Sequence, residues 1–351
     1  MSTPETLPLP RSLGLSPFQR FLGFLESYGV LVAFVVLFLW SATIGENADT
    51  FRRPENLRNI LNQNAATGIV AVGMTLVIVV GGIDLSVGSI MALAGAVGIL
   101  VMNACLGAEW SEVTAALAGG GAGMAVGVAC GLLNGTLVTL GRLPAFIATL
   151  GGLSAYRSIT LALADGGELR ANATGVLNAV GRGGVPVLPG SLTSSGSPLN
   201  FNYNIIVFLV IALAGEVLLR LTRYGRHVVA VGGNELAARY SAIAVERVRL
   251  GAYVLMGGLS ALAGLMLTAR NNSMSSSQLG LLMELDAIAA VVIGGTSMAG
   301  GRGRVWGTVL GVLILAIINN MLVVANVSAY WQGCVKGVII VLAVLIQRGR
   351  R

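Results

Sequence analysis

Charge is scarce in this chain. Only 11% of its 351 residues are charged, and it has a single histidine, His227, and a single lysine, Lys336. One histidine excludes any paired-histidine metal motif, and His227 sits in an Arg-rich stretch where a solvated side chain is expected. The lysine follows Cys334 and Val335, so there is no G-x-x-x-x-G-K-[ST] phosphate loop and no ATP hydrolysis by that route. Three cysteines, Cys105, Cys130 and Cys334, stand apart in apolar segments, as small packing residues and not disulfide or metal pairs. No catalytic or metal constellation emerges. The net charge of +7 comes from arginines scattered through short connections, which argues against nucleic acid as a partner. No polar block is large enough for a soluble domain.

What remains is hydrophobic: 55% of the chain. Apolar runs near the roughly 18-residue threshold for a membrane helix recur end to end. The expected fold is an all-α polytopic membrane protein with ten spans, at 28–45, 64–82, 84–105, 112–139, 143–163, 204–221, 248–268, 284–300, 305–325 and 329–347. The fourth is long enough to need a tilt or a break, and the eighth is short for a full crossing. Residues 1–27 form a polar leader, 28–347 the transmembrane domain, and 348–351 a tail. The leader favours a retained first span over a cleaved signal peptide. Arginine placement predicts both termini on the cytoplasmic side. The connection 164–203 then lies outside, where it either covers a mouth or is a surface excursion, and the Arg-rich 222–248 lies inside. Arg52, Arg53 and Arg58 fall outside against the trend. Either that loop folds down onto protein or the first span is misplaced.

Two hydrophobic runs end in glycine pairs: Val79-Val80-Gly81-Gly82, with Asp84 just beyond, and Val292-Ile293-Gly294-Gly295. A glycine pair loosens a helix, and a lone carboxylate in apolar sequence is costly, so both read as interrupted helices beside a polar cavity. Their placement in separate halves suggests a two-half repeat. Asp84 and Asp286 serve either as helix caps or as cation ligands. Arg157, Glu216, Glu284 and Lys336 also fall at membrane depth. Gly119, Gly123, Gly127, Gly131 and Gly135 recur every fourth residue, one flat helix face that another backbone can approach. Gly303, Gly307 and Gly311 repeat the device. Among the neutral polar residues, Asn134, Asn319 and Asn320 are candidates for the path of a neutral polyhydroxy solute. Asn234 can cap a short helix with Glu235 in its first turn, either a solvated connector or an element that enters a partner's groove.

Several of these segments resemble one family. Gly81-Gly82-Ile83-Asp84-Leu85-Ser86-Val87-Gly88-Ser89 is similar to the signature of the permease subunits of ribose-type monosaccharide ABC importers. Glu284-Leu285-Asp286-Ala287-Ile288-Ala289-Ala290-Val291-Val292-Ile293-Gly294-Gly295-Thr296-Ser297 is similar too, with Ala299-Gly300-Gly301-Arg302-Gly303 behind it. So is Tyr224-Gly225-Arg226-His227 through Val231-Gly232-Gly233-Asn234-Glu235. The likeness runs from about residue 56 to 347. It implies an ABC importer permease in the bacterial inner membrane, paired with a second permease copy or a paralogue and surrounded by lipid. It implies two cytoplasmic ATPases that carry the ATP and Mg, so this chain binds no cofactor, and a periplasmic sugar-binding protein. It also implies that Gly232, Gly233, Asn234, Glu235 and Arg239 dock on the ATPase. The loop count puts both glycine pairs on the cytoplasmic side, which makes Gly81, Gly82, Asp84, Gly294 and Gly295 hinge or gate residues. The rivals are an ion-coupled secondary transporter using Asp84 or Asp286, a non-transporting scaffold, and an ABC permease for a nucleoside or another furanose.

Overall fold

A computed structural model of the chain describes residues 17–43, 48–186, 200–328, 330–335, 337, 338 and 341. The elements in order are α1 (Pro17–Thr43), α2 (Ala48–Arg52), α3 (Pro54–Val79), α4 (Val87–Gly107), α5 (Glu112–Thr139), α6 (Ala145–Leu163), β1 (Glu168–Arg170), α7 (Gly175–Gly181), β2 (Gly184–Pro186), β3 (Asn200–Asn202), α8 (Tyr203–Leu221), α9 (Arg223–Gly233), α10 (Glu235–Tyr240), α11 (Val245–Asn271), β4 (Ser273–Ser275), α12 (Met283–Ile293) and α13 (Val305–Val324). Among the described residues, seven helices are long and apolar enough to cross a membrane: α3, α4, α5, α6, α8, α11 and α13. The apolar part of α1, Gly29–Thr43, is shorter. The tenth expected span lies largely outside the described residues, as do Lys336, residues 1–16 and the tail, while residues 17–27 of the expected leader are helical and continue into the first span as α1.

The bundle is organised around α3. Residues 65–79 are buried without interruption, the pattern of a helix apolar on every side. Helices α8, α11, α12 and α13 surround it. Thr75 of α3 and Thr308 of α13 share a buried hydroxyl hydrogen bond of 2.7 Å, and the Thr75 hydroxyl lies 2.8 Å from the Ala71 carbonyl. Helix α5 begins where Ser111 accepts a hydrogen bond from the Thr114 amide at 3.2 Å, with Glu112 in the first turn. It then runs unbroken for 28 residues, so the long fourth span has no interruption. Its glycine stripe is a contact surface along its whole length. Gly119 and Gly123 meet the backbone of α4 at Gly98 and Ala94, while Gly127, Gly131 and Gly135 meet α11 between Leu250 and Ala261. A side chain at any of these positions would push the helices apart. Gly307 and Gly311 bring α13 equally close to α12, at Gly294 and Ala290.

One expectation changes and two open alternatives are decided. The eighth span is not a crossing: α12 has 11 residues, about 16 Å at the α-helical rise, against a hydrocarbon core of about 30 Å. The connection 164–203 is no loose excursion. Its β1 pairs antiparallel with β4, which follows α11, and its β2 pairs with β3. Helix α7 lies so close to the end of α11 that a side chain at Gly181 would strike the backbone of Ala269 and Arg270. The Val176 amide donates to Glu112 (2.7 Å), and Asn272 donates to Asn178 (2.8 Å). The described part of this segment is thus a cap tied to α4, α5 and α11. The Arg52–Arg53 connection folds onto protein: α2 inserts Phe51 into a cluster with Ala42, Ile60, Ala316 and Ile317, and Arg52 pairs with Asp49.

Candidate functional site

Both glycine pairs end helices; neither loosens a helix in mid-course. The Gly82 amide donates to the Val77 carbonyl (2.8 Å) and the Gly81 amide to Ile78 (2.9 Å). At the end of α12, the Thr296 amide donates to Val291 (3.2 Å) and the Gly295 amide to Val292 (2.9 Å). This is one Schellman cap made twice, with Gly81 at φ 92° and Gly295 at φ 86°, left-handed conformations that glycine adopts without strain. The same pair of bonds ends α4, α6, α10 and α13, so it does not by itself relate the two halves.

The end of α3 is also where distant segments meet. The Gly301 amide donates to the Val79 carbonyl at 2.9 Å. Gly232, at the end of α9, is wedged against the same carbonyl, and a side chain there would overlap it. The glycine segments 79–82, 232–233 and 300–301 therefore form one close-fitting junction at one end of the bundle.

From that junction the chain enters α10. Asn234 is its N-cap, accepting a hydrogen bond from the Ala237 amide at 3.0 Å. Glu235 pairs with Arg239 (2.9 Å) and Arg249 (2.6 Å), and Arg239 pairs with Glu246 (2.7 Å). The Arg239 hydrogen bond, followed by Arg249, holds the Glu235 carboxyl below its ordinary range despite partial burial. This network fixes α10 on the start of α11. Leu236 and Tyr240 project from α10, 67% and 91% exposed. An apolar and an aromatic side chain on a braced, protruding helix suit a groove in a partner.

A cavity of about 500 Å³ separates α10 from the α3–α4 connection. Its lining includes Gly81, Gly82, Thr139, Arg142, Glu235 and Tyr253. Beside it runs a buried polar chain. Tyr156 of α6 donates to the Asn134 side-chain oxygen (2.9 Å), and the Asn134 amide donates to the Ser86 hydroxyl (2.8 Å). Ser86 in turn gives both its hydroxyl (2.6 Å) and its amide (2.9 Å) to Asp84 Oδ1. Asp84 is fully buried and its Oδ2 has no hydrogen-bond partner. Its carboxylate does not cap the first turn of α4, whose N-cap is Ser86; it shapes the turn before the helix. Asp286, with Glu284, lies in the first turn of α12.

The three expected path residues do not converge. Asn134 belongs to the chain at the Gly81–Gly82 end. Asn320 exchanges two amide hydrogen bonds with Asn56 (3.1 and 2.9 Å), at the start of α3 and so about 35 Å away along that helix. Asn319 stands beside it, half-buried. Two other expected polar groups are framework. Glu216 reaches from α8 to cap α13, accepting from the Val305 amide (2.9 Å), and pairs with Arg220 (2.7 Å). Arg157 donates to the Ser276 and Leu279 carbonyls (2.8 and 3.0 Å), pinning the segment before α12. Sequence reasoning missed Tyr156 and Tyr253, because a tyrosine in an apolar helix carries no signal until its hydroxyl is seen to find or lack a partner. Among the described residues no group of His, Cys, Asp or Glu suits a metal.

The chain matches, over residues 56–344, the family model described as the branched-chain amino acid transport system / permease component. It is 40% identical over 321 residues to the ribose import permease protein RbsC of Escherichia coli K12, covering 92% of this chain and 93% of that one. The ribose import permease protein RbsC of Bacillus subtilis is also 40% identical, covering 90% and 91%. The xylose transport system permease protein XylH of Haemophilus influenzae is 33% identical, covering 93% and 97%. No solved structure matches. The chain belongs to this permease family and is a multi-pass protein of the inner membrane.

Proposed function

We propose that this member of the permease family is the membrane-spanning subunit of an ATP-driven importer for a monosaccharide of the ribose type. The observation that carries the reading is the likeness to ribose import permeases along more than nine-tenths of both chains. The junction agrees with it. A braced helix with exposed Leu236 and Tyr240 suits a partner ATPase, and Gly232 lays its root directly on the end of α3. A push on α10 would reach both Schellman caps through Val79, Gly300 and Gly301, which makes Gly81, Gly82, Gly294 and Gly295 the hinges of an inner gate. In this reading that end of the bundle, and both termini, face the cytoplasm. ATP and Mg belong to the ATPase, this chain binds no cofactor, and a periplasmic binding protein delivers the sugar at the capped opposite end.

The test is reconstitution in proteoliposomes with the ATPase and the binding protein. Labelled ribose should accumulate only when ATP is supplied on the ATPase side, and ion gradients should be dispensable. Accumulation that ignores ATP and collapses with the proton or sodium gradient would refute the reading in favour of ion coupling through the buried Asp84.

A further inference from the structure

We infer that the pocket at the far end of α11, walled by β1 and β4 and floored by the start of α12, is a receiving site for the imported monosaccharide. This rests on the reading of the chain as a sugar permease. Asn271, in the pocket wall, ends α11, whose 27 residues carry it about 40 Å from the first turn beside α10. The pocket therefore lies at the end of the bundle opposite the Val79–Gly232–Gly301 junction. Its volume, about 420 Å³, falls within the roughly 300–1,000 Å³ range of small-molecule sites.

The lining has the chemistry of a neutral polyol. Its polar groups are Glu168, Asn271, Ser273, Ser275 and Gln278, which supply amide and hydroxyl donors and amide, hydroxyl and carboxylate acceptors. Glu168, the one ionisable group in the described lining, pairs with Arg170 at 3.2 Å, so the wall carries no unbalanced charge to select an ion. Glu168, Asn271 and Gln278 are exposed and open to a solute in the pocket. The side chains of Asn271, Ser275 and Gln278 make no hydrogen bond to the described protein, so their bonding capacity is available to a ligand. Alternation along β4 buries Met274 in the core and turns Ser273 and Ser275 to the other face, with Glu168 directly opposite Ser275. Leu267 and Leu281 give the pocket apolar surface for the carbon face of a sugar ring.

The backbone that carries these groups is held from behind. The Ser276 hydroxyl donates to the Gly167 carbonyl (2.7 Å), and Arg157 holds the Ser276 and Leu279 carbonyls. Gly280, at φ 73°, packs so closely on Gly88 of α4 that a side chain would overlap its carbonyl oxygen. A site fixed before its ligand arrives loses less to ordering on binding. Met283, at the floor, accepts a hydrogen bond from Thr67 of α3 (3.3 Å) and opens α12. The other end of that short helix is the Gly294–Gly295 cap, so the pocket and the proposed inner hinge stand at the two ends of one element.

The experiment titrates ribose onto the permease–ATPase complex in lipid nanodiscs, without binding protein or ATP, and reads contact by saturation-transfer NMR against empty nanodiscs. Asn271→Leu and Gln278→Met keep the size of two exposed side chains and remove their hydrogen bonding. Each should weaken ribose about fivefold, the equivalent of one ordinary neutral hydrogen bond. Ser277→Ala, exposed in the same segment but outside the lining, should change the affinity by less than about twofold. In proteoliposomes with ATP, uptake by the double variant should fall about fivefold or more while the loaded binding protein docks with unchanged affinity. ATP-driven uptake by a wild-type complex that shows no ribose contact would overturn this inference and leave the sugar-permease reading standing. Equal contact in wild type and both variants would overturn it, as would full uptake by a double variant that has lost contact. Weakened docking of the binding protein in the double variant would overturn it in favour of a protein-docking surface. Absence of ATP-driven uptake by the wild type would remove both readings.

Discussion

The α5–α11 contact makes a sharp prediction, because one helix carries glycines in opposite environments. A Cβ on Gly131 would overlap the Tyr253 carbonyl oxygen and lie 3.1 Å from Gly257 Cα. A Cβ on Gly121 meets nothing within 4 Å. Gly131→Ala and Gly121→Ala gain the same helix propensity, about 1 kcal/mol, so that term cancels between them. What differs is overpacking: the backbones of α5 and α11 must separate to admit the methyl group, which costs about 1–3 kcal/mol. At roughly 1.4 °C per kcal/mol for 351 residues, Gly131→Ala should melt about 3 °C below Gly121→Ala. The assay is a thermal melt of the purified chain in detergent, followed by tryptophan fluorescence and by monodispersity on elution. Equal melting temperatures, or a higher one for Gly131→Ala, would refute close backbone contact there.

Replacing Asn234 and Glu235 together with alanine removes the N-cap of α10, about 1 kcal/mol by itself, and two ion pairs besides. The chain should still insert, and ATP hydrolysis by the complex should continue while sugar uptake falls; full uptake would sink the coupling role. Asn134→Leu removes two buried hydrogen bonds, although Ser86 keeps Asp84 and Tyr156 keeps the Cys130 carbonyl at 3.3 Å, so a loss of about 1–2 kcal/mol should register as a lowered melting temperature. Glu216→Gln weakens the cap on α13 by about 1 kcal/mol, and unchanged amide-exchange protection at Val305 and Trp306 would count against it. The Glu235 carboxyl is depressed below its ordinary 4.5, so its hold on α10 is complete above that pH and is lost as pH falls through the lower folded value. Exchange protection of the Ala237 and Ala238 amides, corrected for intrinsic rate, should therefore drop on acidification from about pH 5 to pH 3 and stay level above that range.

Much of the architecture was legible along the chain, wherever a feature depends on neighbours in sequence. Hydropathy placed α3, α4, α5, α6, α8, α11 and α13 to within a few residues at most ends, although α3 starts ten residues earlier than its apolar run because Pro54 and a polar first turn open it. The four-residue glycine period gave the packed face of α5, and Asn234 ahead of Glu235 gave the start of α10. The half-length of α12 was harder to see. Its apolar run continues into Gly294–Gly295, and only the cap geometry shows that the helix stops there.

The sequence by itself determined that this is a helical membrane protein with flat glycine faces, breaks at two glycine pairs and a capped helix in an Arg-rich connection. These follow from periodicity and local hydrogen bonding, which act within a few residues. Tertiary structure alone decided that Val79, Gly232 and Gly301 share one junction, that Asn320 locks to Asn56 instead of joining Asn134, and that Tyr253 stands unpaired beside Gly82. Each depends on groups scores of residues apart, and the chain brings them together only when all of its helices have docked.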